Sequence, residues 1–221
     1  MLVNRPGPRK TPLRLTADLE RREDSRFHTV LRVALVTRER DMGLWRVRNI
    51  SNRGIMLATR VQLVPGERLT IALSEAIVVA GRVIWWDGAR CGVEFDAPID
   101  CAGALHALVE EQRQPNYRPP RLTVATRAIA WCDKGLQTVR IYNLSHHGAG
   151  FTHDGCFHAG MPIKLHFETG EDYRGIVRWS EDGRAGLFLT DPIPSGKLES
   201  LSLIHIPSPR DYAASRMPSS A

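Results

Sequence analysis

The sequence is short of the signatures that mark most common chemistries. Its 221 residues include four cysteines, Cys91, Cys101, Cys132 and Cys156, with no CxxC pair among them. A disulfide framework needs a small, cysteine-dense secreted chain and a structural zinc site needs close Cys/His pairs, so the cysteines read as reduced packing residues. There is no GxSxG elbow, HExxH or GxxxxGK[ST] loop, and the chain reads as a non-enzyme without metal or cofactor. No run of about 18 apolar residues is present, which excludes a spanning helix. The N-terminal MLVNRPGPRKTPLRL is basic and broken by Pro6, Gly7, Pro8 and Pro12, so it lacks the apolar core of a secretory signal. A cytoplasmic protein is expected. What is present is an excess of Lys+Arg, 30, over Asp+Glu, 24; the resulting charge of +6 favours anionic partners. A 43% hydrophobic share is enough for a packed core.

The chain also repeats itself. At an offset of 94, Asn49, Ser51 and Gly54 fall on Asn143, Ser145 and Gly148. In the same register Gly66 meets Gly160, Gly81 meets Gly175, Trp85 meets Trp179, Arg90 meets Arg184 and Gly92 meets Gly186. An offset of 95 brings Arg26 onto Arg121 and Arg32 onto Arg127. Register kept through glycines and a tryptophan indicates a duplicated domain of roughly 90 residues per copy.

Each copy is rich in short β-patterned segments. In the first they are TVLRVALVTR, LWRVRNI, GIMLATR, RLTIAL, IVVAGRVIWW and CGVEFD, punctuated by turn signals at Ser51–Gly54, Pro65-Gly66 and Asp87-Gly88. Six short strands in so small a unit predict a closed barrel, because closure removes exposed edges. Asp100 can then cap a helix through CAGALHALVEEQRQ, with Leu105 and Leu108 closing the barrel end. The fold expected is all-β: two tandem six-stranded antiparallel barrels, each followed by a helix. The second helix starts near Ser195 and is cut short by the tail. The division expected is a flexible basic tail 1–19, a first domain 20–115, a second domain 116–201 and a tail 202–221. That last segment is either a disordered extension or translated sequencing-adapter sequence, which SLIHIPSPRD and SRMPSSA resemble.

Two elements could bind a ligand. Arg22 and Arg26 form an RxxxR pair ahead of the first strand, with Arg21 beside it. Alone, such charges are usually a solvated linker. Asn49, Ser51 and Gly54 form an NxSxxG corner, a pattern that ordinary turn chemistry also explains. In this order, on six strands and a helix, the two elements resemble the PilZ family of receptors for the bacterial second messenger cyclic di-GMP. The resemblance implies a six-stranded barrel with a C-terminal helix and binding through Arg22, Arg26, Asn49, Ser51 and Gly54. It also implies that Arg21 bears on whether one ligand or a stacked pair is bound. The chemistry suits it, since a guanidinium fork pairs with phosphate oxygens or with guanine O6/N7 and can stack on a base. Binding would order the segment 20–27 against the first barrel and relay the signal to an unidentified protein partner.

The second copy departs from the motif. Asn143, Ser145 and Gly148 persist, but Tyr117 stands where Arg22 would, Arg118 is one position late, and Pro119-Pro120 stiffen the path to Arg121. Arg118, Arg121, Asn143, Ser145 and Gly148 therefore read as a weak second site. His146, His147, His153, Cys156 and His158 read as exposed turn residues, and Trp45, Trp85, Trp131 and Trp179 as core. Trp86 should face opposite to Trp85. Two alternatives stand beside the receptor: a ligand-free protein-interaction module, and a nucleic-acid-binding barrel. The latter is disfavoured because no strand interleaves basic and aromatic residues as a stacking platform.

Overall fold

The computed structural model describes residues 27–28, 33–39, 41–115 and 117–200. Among these, alternating apolar and polar residues form thirteen strands and one α-helix. The first unit comprises β1 (Phe27–His28), β2 (Val33–Thr37), β3 (Met42–Ile50), β4 (Gly54–Ala58), β5 (Arg68–Ala72), β6 (Val78–Trp86) and β7 (Arg90–Phe95), followed by α1 (Cys101–Arg113). The second comprises β8 (Leu122–Cys132), β9 (Gly135–Ser145), β10 (Gly148–Thr152), β11 (Pro162–Phe167), β12 (Asp172–Glu181) and β13 (Arg184–Leu189). All pairings are antiparallel. β2 to β7 close on themselves through the β3–β4 pairing, and β8 to β13 close in the same cyclic order. The short β1 lies beside β3, where the first residues of β8 lie beside β9: Phe27 is opposite Ile50 as Leu122 is opposite Leu144.

The repeated glycines have matching causes in both barrels. At Gly81 a Cβ would run into the Glu94 carbonyl, and at Gly175 into the Phe188 carbonyl. At Gly92 and Gly186 it would meet the indole ring of the cross-strand partner, Trp85 or Trp179. The backbones approach closely there because a small closed sheet is strongly curved.

Both barrels also carry β-bulges at matching places. One falls between Val47 and Asn49 in β3 and between Ile141 and Asn143 in β9; the other falls between Val83 and Trp85 in β6 and between Val177 and Trp179 in β12. The second pair of bulges corrects the assignment of Trp85 and Trp179 to the core, and plain alternation along β8 corrects that of Trp131. Only Trp45 is buried, at 1% exposed, whereas Trp85 and Trp179 are 40% and 38% exposed and Trp131 is 51% exposed. Strict alternation from the buried Val83 would point Trp85 inward; the extra residue turns it outward. Trp86 instead packs against the first core.

Helix α1 starts where Asp100 accepts from the Gly103 N–H at 3.0 Å, and it buries Cys101 and Leu108 against the first barrel with Leu105 alongside. The helix expected after the second barrel is reduced to a 3-10 turn, Ser195–Lys197. Its cap position is Pro194, which has no side-chain acceptor to offer, so the Asp100 device is missing. The chain returns to the first barrel instead. Leu44 N–H donates to the Leu198 carbonyl at 2.6 Å, Trp45 Nε1 to the Glu199 carbonyl at 2.7 Å, and Arg60 N–H to Glu199 Oε2 at 2.7 Å. Leu44 belongs to the second barrel's core, and Val33, Leu35 and Met42 pack against that core, so the outer face of the β2–β3 hairpin is an interface between the barrels.

Two outcomes test this packing. Gly81→Ala and Gly175→Ala should each cost about 1–3 kcal/mol in urea unfolding, because backbone cannot yield to the new methyl. Gly196→Ala, with nothing within 4 Å of the added carbon, should be near neutral. Burial pushes the Cys91 thiol up to about 12, so in the native protein a thiol reagent should spare Cys91 while reaching the half-buried Cys132 and Cys156. Native-state labelling of Cys91 at a rate matching theirs would contradict the packing.

Candidate functional site

Strand β3 ends at Ile50 and the chain turns through Ser51–Arg53 into β4. Ser51 closes this corner, its backbone N–H donating to the Gly54 carbonyl at 2.8 Å and its hydroxyl to the same oxygen at 3.3 Å. Gly54 is required by the neighbouring strand, since a Cβ there would lie 2.6 Å from the Val93 carbonyl. Asn52 Oδ1 accepts from the Cys101 N–H at 3.1 Å, tying the corner to the start of α1. Asn49, immediately after the bulge, is 8% exposed. Three of the motif residues are thus placed together: Ser51 and Gly54 build the corner, and Asn49 stands at its edge. Arg21, Arg22 and Arg26 lie outside the described residues, as do the tails 1–19 and 202–221.

The second barrel carries the same corner together with its arginines. The Ser145 hydroxyl donates to the Gly148 carbonyl at 3.4 Å. Arg121, the counterpart of Arg26, donates from Nη1 to Asn143 Oδ1 at 3.0 Å. Around this contact opens a cleft of about 470 Å³. Its walls are Arg118, Arg121, Tyr142 and Asn143 together with Trp179, Glu181, Asp182 and Arg184. Arg118 therefore reaches the cleft despite its shifted position. Tyr117 does not: it lines a separate space of about 700 Å³ with Arg46, His146 and Pro192–Ser195. Ser145 and Gly148 hold the corner and do not line the arginine cleft.

The electrostatics of this cleft favour an anion. Arg121 Nε is buried with no hydrogen-bond partner among the described residues. Burial first, and then the charge of Arg118, lowers the Arg121 pKa. Arg184 stacks over Tyr142 at 4.4 Å. Its counterpart in the first barrel, Arg90, is instead bound to Asp87 at 2.9 Å. Glu181 and Asp182 stand at the same cleft as acceptors suited to N–H groups of a base edge.

Trp179, Arg184 and Tyr142 were not among the residues singled out from the sequence. Trp179 and Arg184 have a signal, since both are kept in register with Trp85 and Arg90, but core packing is the commoner role of a tryptophan in a strand pattern. The histidines do not converge. His146 contacts the Ile193 carbonyl at 2.9 Å, His153 the Ser180 hydroxyl at 2.9 Å and His158 the Ala159 carbonyl at 3.1 Å. Among the described residues no group of three or more His, Cys, Asp or Glu is placed to hold a metal ion. None of their helices is long and apolar enough to cross a membrane.

Comparison with known proteins places this geometry. No curated protein matches the chain significantly. Among solved structures, PlzA of Borreliella burgdorferi in complex with c-di-GMP is 15% identical, with 79% of this chain and 86% of that one covered, at a TM-score of 0.36. The Bacillus subtilis inhibitor of motility MotI is 11% identical over 86% of this chain and 100% of its own, at 0.32. YcgR of Escherichia coli in complex with c-di-GMP is 12% identical over 71% and 74%, at 0.26. These superpositions are loose, and the assignment rests on sequence instead. Residues 20–111, which span the first barrel with its corner and most of α1, match the PilZ domain.

Proposed function

We propose that the chain is a non-catalytic receptor for cyclic di-GMP whose tight site is on the first barrel. Arg22 and Arg26 close over the ligand there, with Arg21 beside them, while Asn49 takes a guanine edge and Ser51 and Gly54 hold the corner. The family match over residues 20–111 supports this reading. The observation that carries it comes from the second barrel, where the arginine ahead of the first strand folds back onto the asparagine of the corner, Arg121 to Asn143 at 3.0 Å. The same fold-back by Arg26 would bring a guanidinium to Asn49. Trp85, counterpart of the cleft residue Trp179, is then added to the site as a stacking surface.

In this reading the second barrel supplies a weaker site formed by Arg118, Arg121 and Asn143, with Ser145 and Gly148 in support. It lacks the paired fork of Arg22 and Arg26, and Tyr117 faces a different space. Ligand at the first corner changes the surface offered to a protein partner, and nucleic acid has no part in the mechanism. A ligand-free interaction module is the competing reading. It is favoured by the turn-closing roles of Ser51 and Ser145, which would preserve both corners without any ligand.

Calorimetry with cyclic di-GMP on the full chain separates the two. Charge-assisted hydrogen bonds are worth about 1.5–3 kcal/mol each, so the Arg22→Ala/Arg26→Ala double variant should bind about 100-fold more weakly or worse. Arg121→Ala should leave the tight phase intact and remove only weaker heat. Undiminished affinity in the double variant would refute the proposed site, and absence of any ligand heat at low salt would favour the interaction module. In a thermal-shift series, cyclic di-GMP should raise the melting temperature more than GTP does.

A further inference from the structure

The outer face of the second barrel carries a continuous apolar surface. Ile129, Trp131, Leu136, Ile176 and Phe188 are each between 40% and 63% exposed. Register joins them: Trp131 lies opposite Leu136 on one side and Lys164 on the other, Pro162 opposite Ile176, and Ile176 opposite Phe188. A shallow cleft of about 520 Å³ runs between Trp131 and Ile176, with Pro162, Lys164 and Arg174 along it.

The first barrel serves as an internal control. At the offset of 94, Trp131, Pro162, Ile176 and Phe188 correspond to Thr37, Arg68, Arg82 and Glu94. Arg82 and Glu94 face each other across the strands, and Arg68 pairs with Asp96 at 2.5 Å. The barrel therefore folds with charge at these positions, and their apolar character in the second copy is not demanded by the fold. Moreover Leu35 and Met42, the counterparts of Ile129 and Leu136, are covered by the second barrel. This hairpin face is already a docking surface in one copy. In the other it is open.

Charge selects the occupant. Lys164 lies over the Trp131 ring at 4.8 Å and Arg178 over Phe188 at 5.2 Å, while Arg174 stands opposite Lys164. Asp172 is engaged by Lys164 and His166, and among the described residues neither Arg174 nor Arg178 makes an ion pair. A second copy packed face to face would set these cations against themselves. A phosphate-rich surface would satisfy the cations but leave Ile129, Leu136 and Ile176 without apolar contact. We propose that this face binds an acidic protein segment carrying apolar anchors. Its carboxylates meet Lys164, Arg174 and Arg178, and its anchors bury against Trp131, Ile176 and Phe188. The proposal stands independently of the nucleotide site.

The test uses the full chain and labelled synthetic peptides alternating Glu with Leu or Phe, beside the same peptides with Lys for Glu, an all-Glu peptide, oligo(dT) and phosphatidylglycerol vesicles. Ile176→Arg/Phe188→Glu recreates the charged pair of the first barrel, and Trp131→Thr installs its residue. Saturable binding of the Glu/Leu/Phe peptide is expected, about tenfold or more weaker in each variant at unchanged melting temperature. Should the double variant fail to fold, Trp131→Thr decides. The proposal is overturned by absence of saturable peptide binding, by binding indifferent to the substitutions, or by equal binding of the all-Glu or Lys peptides. Substitution-sensitive binding to oligo(dT) or vesicles instead, or a substitution-sensitive dimer in sedimentation, would equally overturn it.

Discussion

Two bulges in each barrel carry the site geometry. Inserting one residue at Arg48 and at Tyr142 breaks the alternation of β3 and β9 just ahead of the corner asparagine. Inserting one at Ile84 and at Arg178 turns Trp85 and Trp179 out of the core. In the second barrel the tryptophan and the asparagine thereby reach the same cleft. Without the bulges the indole would point inward, and the cleft would lose that wall. The glycines opposite the rings, Gly92 and Gly186, belong to the same device, since only a residue without a Cβ leaves the indole room to lie across the strand.

The corner itself serves stability. Ser51 and Gly54 are explained fully by the turn and by the carbonyl of β7. Their repetition in Ser145 and Gly148 follows from the fold whether or not a ligand binds. Asn143 and Arg121 are different. Arg121 is half-buried and donates from Nη1 to Asn143, while its Nε has no partner among the described residues and Arg118 stands near enough to lower its pKa further.

The barrels are joined by more than a linker. Residues 195–200 return across 139 or more positions of sequence to β3 and the segment just after β4, where Arg46 meets the Ser195 hydroxyl at 2.8 Å and Arg60 meets Glu199. At the position matching Asp100 stands Pro194, which offers no side-chain cap.

Much of this was legible in the residues alone. Duplication, two closed barrels, the corners and the Asp100-capped helix follow from local periodicity, glycine spacing and capping, each of which acts within a few positions of chain. Arg118 and Arg121 were identified as a weak pair, but their convergence on one cleft depends on how the two prolines direct the path, a three-dimensional matter. The outward tryptophans, the roles of Tyr142 and Arg184, and the returning segment at Leu198–Ser200 were settled only by tertiary structure. A bulge is defined by the register of two paired strands and reverses every side chain beyond it, so alternation read along a single strand cannot register it.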